Sequence, residues 1–255
     1  MNSKLFLKNG YDKFKLEKKY LYKIKKILIE KIKKKTKIKS VNLNFFHKSY
    51  PLDKINNLRL HIYREINSDK KFQNLIYKSS QKAIDNTVGN EIAKSKANLS
   101  IQYPKDDKSL LNMHSDFFSG ESLFQVNVWI PFVNVKKTKS MFIINPNTSL
   151  KILKKIKSSK KITFNEIYKK YKKNMKWLNV KFGEGVIFSP NCLHGNVKNL
   201  EKTTRWSINI RYKNLYSPYN NIFGNEKKIG TFYSIFSPKL MTQFNLKYNF
   251  NEFQK

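Results

Sequence analysis

The chain has 255 residues, of which 40% are hydrophobic and 14% aromatic, which is enough to bury one large core. Its formal charge of +35 invites a nucleic-acid function, but only four of its 52 basic residues are arginine, the side chain that makes bidentate contacts to phosphates and bases. We therefore expect a solvated lysine surface and no specific nucleic-acid site, with polyanion binding kept as an alternative.

The single cysteine, Cys192, excludes an internal disulfide and any thiolate zinc cluster, which fits a reducing cytoplasm. The N-terminus lacks an apolar stretch long enough for a signal peptide. No window approaches the roughly 20 apolar residues that a membrane span needs. We expect a cytoplasmic protein without a membrane span.

The region before residue 95 is predicted to be mostly helical and carries no recognisable chemistry. Apolar residues recur at helical spacing from residue 11 to about residue 39, and two more amphipathic helices are predicted over 51–66 and 70–85. A basic amphipathic helix can lie on an anionic membrane, but packing against its own domain is the favoured interpretation. We predict that residues 1–95 pack on the rest of the chain within one structural domain.

After residue 97 the sequence changes to short runs rich in β-branched and aromatic residues, separated by turn signals. Such short, closely spaced strands are typical of an antiparallel sandwich or barrel, of which the double-sheet jelly roll is one form. A basic insertion at 148–174 is predicted to form two short helices at the rim. The predicted strands cover 99–103, 122–132, 140–145, 177–182, 185–189, 194–197 and 205–213.

From residue 215 to 255 the chain is rich in aromatic residues and shows no clear periodicity. We predict a covering tail with one short helix at 237–243. The fold class is therefore α+β, with N-terminal helices, a β core at 96–214 that contains the helical insertion, and the tail.

The chemistry begins in NMHSDFF, residues 112–118. His114 and Asp116 are two residues apart, and residues i and i+2 of an extended segment face the same side, so both can reach one metal ion. His194, in a turn–strand–turn segment, supplies a third candidate ligand. Two imidazoles and one carboxylate are the facial triad that holds Fe(II) and leaves three positions open. Taken alone, the first pair also fits a loop histidine beside a capping aspartate.

Arg205 and Ser207 follow on the next predicted strand and share one of its faces. A guanidinium inside a barrel needs an anionic partner, because burying it unpaired is costly. A ligand carboxylate held by Arg205 and Ser207 would supply that partner, although Arg205 could instead pair with one of the chain's own carboxylates. Arg211 shares this face, and it either reaches the bound ligands or lies at the surface.

With HSD, a later His and then Arg-Trp-Ser in this order, the sequence resembles the Fe(II)/2-oxoglutarate-dependent oxygenases. Within residues 97–213, the run LSIQYP…LNMHSDFFSGESLFQVNVWIPF…TKSMFIINP…FGEGVIFSPNCLHGN is most similar to the members found in bacterial surface-carbohydrate clusters. Those enzymes are distant relatives of phytanoyl-CoA-hydroxylase-like proteins. The resemblance implies a double-stranded β-helix core, which is the jelly roll of cupin-like proteins.

The resemblance also implies the roles of the site residues. His114, Asp116 and His194 would hold Fe(II), and Arg205 with Ser207 would bind the distal carboxylate of 2-oxoglutarate. Oxygen (O2) would be the second cosubstrate. The implied activity is that of a dioxygenase that hydroxylates a small polar metabolite or a sugar-linked intermediate of surface carbohydrate biosynthesis.

Gln102 and Asn127 are polar residues inside strands that otherwise consist of core residues. They are candidates for hydrogen bonds to the cosubstrate or the substrate, and the alternative is that they face outward. Specificity would be set by the rim, which we expect to consist of 104–111, 117–122, the basic insertion at 148–174 and the tail. Lysine-rich walls at this rim would favour an anionic substrate.

Two rival functions use the same sequence features differently. A metal-binding jelly roll without redox chemistry, such as a cupin-like isomerase, would use the three ligands without 2-oxoglutarate. A lysine-rich nucleic-acid-binding protein would bind with a steep salt dependence.

Overall fold

The structure, a computed structural model, describes residues 1–158, 164–220 and 226–248. These ranges contain α-helices and antiparallel strands, which confirms the predicted α+β class. The helices are α1 Ser3–Asn9, α2 Lys18–Thr36, α3 Ile55–Ser68, α4 Lys70–Val88, α5 Pro146–Ser158, α6 Phe164–Tyr171 and α7 Leu240–Lys247. The strands are β1 Tyr11–Lys15, β2 Ile92–Lys94, β3 Asn98–Gln102, β4 Gln125–Pro131, β5 Phe142–Ile143, β6 Lys176–Trp177, β7 Glu184–Phe188, β8 His194–Gly195, β9 Arg205–Asn214 and β10 Ser234–Ser237.

Two antiparallel sheets form the core. The larger has seven strands in the order β1-β7-β4-β9-β2-β10, with β3 also paired to β9. The smaller has three strands in the order β6-β5-β8. Non-consecutive strands are neighbours in both sheets, so pairing joins residues that lie far apart in the sequence.

Strand β9 is central and almost wholly buried, and its two faces differ in chemistry. Successive side chains of a strand point to opposite faces, so one face is apolar and the other polar. The apolar face carries Trp206, Ile208, Ile210 and Tyr212, and the polar face carries Arg205, Ser207, Asn209, Arg211 and Lys213. Burying polar side chains is costly unless they find hydrogen-bond partners, so a buried polar face in a core indicates a ligand-binding site.

The N-terminal helices cover the apolar face of the large sheet. Helix α4 contacts β4, β7 and β9, and α3 contacts β3. Phe46 packs edge-on against Trp206 with ring centroids 5.2 Å apart. The helices bury stripes of Ile and Leu side chains. Each fully buried side chain contributes about 1.5–3 kcal/mol to the stability of the fold. These stripes include Leu21, Ile24, Leu28 and Ile32 of α2 and Leu58, Ile62 and Ile66 of α3.

The helix predicted from residue 11 to residue 39 is wrong at its start. Residues Tyr11–Lys15 form β1, which pairs with β7 from Tyr11 opposite Phe188 to Lys15 opposite Glu184. Helix α2 then begins at Lys18. Gly10 precedes β1 with φ 73°, and a Cβ there would lie 2.5 Å from Cys192 Sγ, so the chain can pass this close only with glycine.

The other differences concern short strands and the tail. Strands β2 and β10 were not predicted, and they pair with each other. The tail helix lies at Leu240–Lys247 rather than at 237–243. The insertion forms α5 and α6 as predicted, and residues 159–163 between them lie outside the described residues. Across the described part of the chain, no helix is long and apolar enough to cross a membrane.

Candidate metal centre

The backbones of His114 and His194 form an isolated antiparallel bridge. Each amide donates to the other residue's carbonyl at 2.9 Å, and the imidazole centroids lie 4.2 Å apart. Asp116 opens the short helical turn Asp116–Ser119, and the preceding Ser115 hydroxyl donates to Pro190 O at 2.8 Å. The structure thus brings the three predicted ligands together, with one ligand atom of each within 4.8 Å of the others.

Both imidazoles are oriented by backbone carbonyls. Nδ1 of His114 lies 2.8 Å from Asn112 O, and Nδ1 of His194 lies 2.9 Å from Cys192 O. A carbonyl only accepts hydrogen bonds, so each Nδ1 carries a hydrogen, and Nε2 is the ring atom that a neutral imidazole offers to a metal. The Phe188 ring packs against the His194 ring with centroids 4.8 Å apart. This geometry is the one that metal-binding histidines adopt.

Burial and neighbouring charges shift the pKa values of the three residues. Burial, together with the neighbouring His114, lowers the pKa of His194 to about 4, so its imidazole is neutral at physiological pH. Burial alone would raise the pKa of Asp116, but the Arg211 guanidinium and both histidines hold it well below its usual range. For His114 burial lowers the pKa, but the Asp116 carboxylate and the Asn112 carbonyl together outweigh this effect and raise it.

The two carboxylate oxygens of Asp116 have different surroundings. Oδ1 accepts a hydrogen bond from Arg211 Nη2 at 3.0 Å, and His114 Nε2 lies 3.5 Å from it. Oδ2 is buried and has no hydrogen-bond partner. A buried, unpartnered carboxylate oxygen is costly, and a divalent cation between the three side chains would satisfy it. The residues present therefore fit a metal with two imidazole ligands and one carboxylate ligand.

Arg211 lies in the interior, so the surface alternative for it is wrong. Its Nε donates to Glu121 Oε2 at 3.0 Å, and Lys227 Nζ lies 3.0 Å from Glu121 Oε1. Sequence reasoning missed Glu121. The sequence did contain a signal for it: the chain has only 17 acidic residues, and one of them, Glu121, lies in a predicted loop five positions after Asp116.

Arg205 is buried without a carboxylate partner among the described residues. Nη1 donates to Ser140 O at 3.3 Å and Nη2 donates to Ser100 Oγ at 3.0 Å, while Nε has no partner. Burial lowers the pKa of Arg205 to about 10, so the guanidinium is still charged at neutral pH. In the described structure Arg205 does not form the predicted alternative, an ion pair with the chain's own carboxylates.

Unpaired polar atoms continue along the polar face of β9. Ser207 Oγ is buried and unpaired, and we call it and Arg205 the anion clamp. Gln102 donates to Val197 O at 2.8 Å but leaves Oε1 unpaired, and Asn127 leaves both amide atoms unpaired. Both amides are fully buried, so the alternative that they face outward is wrong.

Strand register places these atoms on one side of the sheet. Gln102 lies opposite Arg205, and Asn127 lies opposite Arg211, which contacts Asp116. A line of unmet hydrogen-bonding groups therefore runs from the metal ligands to the anion clamp. An elongated polar anion would pair with such a line.

No protein-family model matches the sequence, and no curated protein matches it. Solved structures do match its fold. A nickel complex of the non-haem monooxygenase ThoJ has a TM-score of 0.57 at 12% identity, covering 97% of this chain and 94% of that one. The chain therefore shares its fold with this non-haem monooxygenase.

Two further structures have the same architecture. EctD from S. alaskensis, in its apo form, gives a TM-score of 0.53 at 12% identity and covers 93% of this chain and 85% of that one. HygX from Streptomyces hygroscopicus, with nickel and 2-oxoglutarate bound, gives 0.50 at 8% identity and covers 84% of this chain and 86% of that one. The predicted double-stranded β-helix core is confirmed. At these identities the likeness concerns the fold, and it does not assign a substrate.

Proposed function

We propose that the protein is a non-haem Fe(II)/2-oxoglutarate-dependent dioxygenase. The observation that carries the proposal is the pairing of the three-ligand cluster with a buried arginine, Arg205, that has no carboxylate partner in the described structure. A metal-binding protein without a dicarboxylate cosubstrate has no need of that buried cation. The nickel and 2-oxoglutarate in HygX, which has a similar fold, support the same interpretation.

In this proposal His114, His194 and Asp116 would hold Fe(II), because their ligand atoms lie within 4.8 Å of one another. The chemistry that Fe(II) supplies in such a site is the activation of O2, coupled to decarboxylation of 2-oxoglutarate to succinate and CO2. The protein supplies a neutral imidazole at His194 and an ionised carboxylate at Asp116, and Phe188 covers one side of the His194 ring.

The anion clamp would bind the distal carboxylate of the cosubstrate. Its guanidinium can donate two parallel hydrogen bonds, and the Ser207 hydroxyl can donate a third. Gln102 and Asn127 would hydrogen-bond to the cosubstrate or to the substrate along the same face. These contacts orient the keto acid relative to the metal, which is the part of the catalysis that the protein provides.

The substrate in this proposal is a small polar metabolite or a sugar-linked intermediate of surface carbohydrate biosynthesis. A cleft of about 580 Å³ supports a small polar ligand, because Arg59, Asp106 and Lys108 line it. Ser100 also lines the cleft and accepts the hydrogen bond from Arg205, so the cleft adjoins the anion clamp. The lysines of α5 and α6 favour an anionic group on the substrate.

The proposed activity can be tested without knowing the substrate, by measuring the conversion of 2-oxoglutarate alone. The protein is mixed with Fe(II), 2-oxoglutarate and oxygen, and succinate and oxygen consumption are measured over many hours, since uncoupled turnover is slow. We expect succinate from the native chain and none from His194→Ala or Arg205→Met. Metal binding without any 2-oxoglutarate-dependent thermal shift would instead indicate a non-redox metal protein.

A further inference from the structure

A chain of alternating charges links the metal ligand Asp116 to the C-terminal segment, or tail, of which the structure describes residues 215–220 and 226–248. Asp116 Oδ1 pairs with Arg211 Nη2, Arg211 Nε pairs with Glu121 Oε2, and Glu121 Oε1 pairs with Lys227 Nζ, each at 3.0 Å. The side chains of Asp116, Glu121 and Arg211 are at least 91% buried, and that of Lys227 is 26% exposed. We call these four residues the ion-pair chain.

The same C-terminal segment also holds the turn that carries Glu121. Asn220 Nδ2 donates to Phe117 O at 2.7 Å and to Glu121 O at 3.2 Å. Lys227 N donates to Gly120 O at 3.2 Å. The tail therefore contacts the backbone immediately after Asp116 as well as the ion-pair chain.

The geometry of Arg211 explains why Glu121 matters for the metal ligand. An arginine beside one carboxylate tends to bind both of its oxygens in a fork. Here Glu121 occupies Nε, and Arg211 reaches Asp116 through Nη2 at Oδ1. Oδ2 stays free of hydrogen bonds. Without Glu121, the guanidinium could turn to take both oxygens of Asp116 and compete with a metal for Oδ2.

We propose that Glu121 and Lys227 are positioning residues that keep Arg211 on one oxygen of Asp116, so that the C-terminal segment sets the affinity of the metal centre. This inference rests on the proposed metal-binding function. It assigns to the tail a role beyond covering the core.

The experiment measures Co(II) binding to the full chain by calorimetry and records the visible spectrum of the bound Co(II). The variants are Lys227→Met, Glu121→Gln and, as a matched control, Lys228→Met, because Lys228 is 58% exposed and pairs with Glu226. We expect Glu121→Gln to weaken Co(II) binding by roughly 10-fold to 100-fold, as for other groups that orient metal ligands, and Lys227→Met to weaken it by at least about threefold. Both should alter the Co(II) spectrum, and Lys228→Met should change neither quantity.

A double variant separates positioning from general loosening. If Glu121 acts through Arg211, Glu121→Gln should cost much less in an Arg211→Gln background than in the native chain. Lys227 is partly exposed, so Lys227→Met should fold even if Glu121→Gln does not, and its unfolding temperature without metal confirms this. Native affinity and spectrum in Lys227→Met would overturn the proposal. Absence of Co(II) binding by the native chain would overturn the proposed function instead.

Discussion

Arg205 and Ser100 are joined across β9 and β3 by a hydrogen bond of 3.0 Å between Nη2 and Oγ. The register places Ser100 opposite Ser207, not opposite Arg205, so the guanidinium reaches diagonally along the polar face. Its planar group is thereby held in place before any ligand arrives. Part of the ordering cost of binding an anion is met during folding.

Replacing Arg205 by Met should have opposite effects on stability and on ligand binding. The native chain buries this cation without a carboxylate partner in the described structure, so Arg205→Met should leave the ligand-free protein as stable or more stable, by up to about 2 kcal/mol. Binding of 2-oxoglutarate in the presence of Mn(II) should weaken by roughly 100-fold, since a charge-assisted pair is lost. Thermal unfolding with and without 2-oxoglutarate measures both effects.

Arg64→Met provides the control, because Arg64 is exposed on α3. It should change neither quantity. A large loss of ligand-free stability in Arg205→Met, with 2-oxoglutarate binding retained, would show that Arg205 has a structural role instead.

Gly195→Ala should weaken metal binding. A Cβ on Gly195 would lie 2.9 Å from Leu111 O and 3.0 Å from Met113 Cα, both backbone atoms of the segment that leads to His114. That segment must move, so we expect metal affinity to fall roughly tenfold or more. Calorimetric titration with Mn(II) measures the change.

Gly185→Ala is the comparison for this prediction. Its Cβ would lie 2.7 Å from Phe14 Cζ, so it should cost about 1–3 kcal/mol of stability through overpacking. Phe14 belongs to β1, away from the three ligands, and metal affinity should hold. Equal metal affinities for the two alanine variants would contradict the argument about Gly195.

Cys192 should be inert to thiol reagents in the folded protein. The side chain is fully buried, and burial raises the pKa of its thiol to about 12, so almost no thiolate is present at neutral pH. An aromatic disulfide reagent should label it slowly under native conditions and promptly in concentrated guanidinium. Prompt labelling of the native chain, at the rate seen for glutathione, would show that the segment around Gly10 opens readily.

Lys94 should make stability rise with pH in the alkaline range. Burial lowers the pKa of Lys94 from 10.5 to about 8, so the unfolded chain binds more protons than the folded chain between these values. Stability contributed by this residue is therefore lost below about pH 8 and regained toward pH 10.5. The slope is at most about 1.4 kcal/mol per pH unit.

Lys94→Met isolates this effect from other alkaline titrations. The difference in unfolding free energy between the native chain and the variant should move in favour of the native chain as pH rises through this range. Denaturant unfolding at several pH values gives the difference directly. A difference that does not vary with pH would mean that Lys94 keeps its ordinary pKa despite contacting Gln73 in the interior.

The sequence was most informative where residue type and short spacing decide the chemistry. His114 and Asp116 are neighbours along the chain, and Arg205 and Ser207 share a strand face, so periodicity alone places each pair. That His194 meets the first pair depends on strand pairing, and here the resemblance supplied what local pattern could not. The roles of these residues stay predictions until ligands are measured.

Other features depend on contacts that no local pattern encodes. The partners in the ion-pair chain are 90 and 106 positions apart for Glu121 with Arg211 and with Lys227. Residues 11–15 satisfy a helical pattern as well as a strand pattern, and they form β1 because β7 offers a free edge beside them. Propensity is weak for such short segments, and tertiary pairing determines the outcome.

Because of the backbone bridge between His114 and His194, the spacing of the two imidazoles does not depend on the length of the insertion. The spacing of the two imidazoles follows from paired main chains rather than from the loops around them. The first turn of α5 is hydrogen-bonded to the residue before His194, because Leu193 N donates to Ser149 Oγ at 2.9 Å. The rest of the insertion follows this turn. A lineage could lengthen, shorten or replace the later part of that insertion and so acquire new substrates while inheriting an unchanged metal centre.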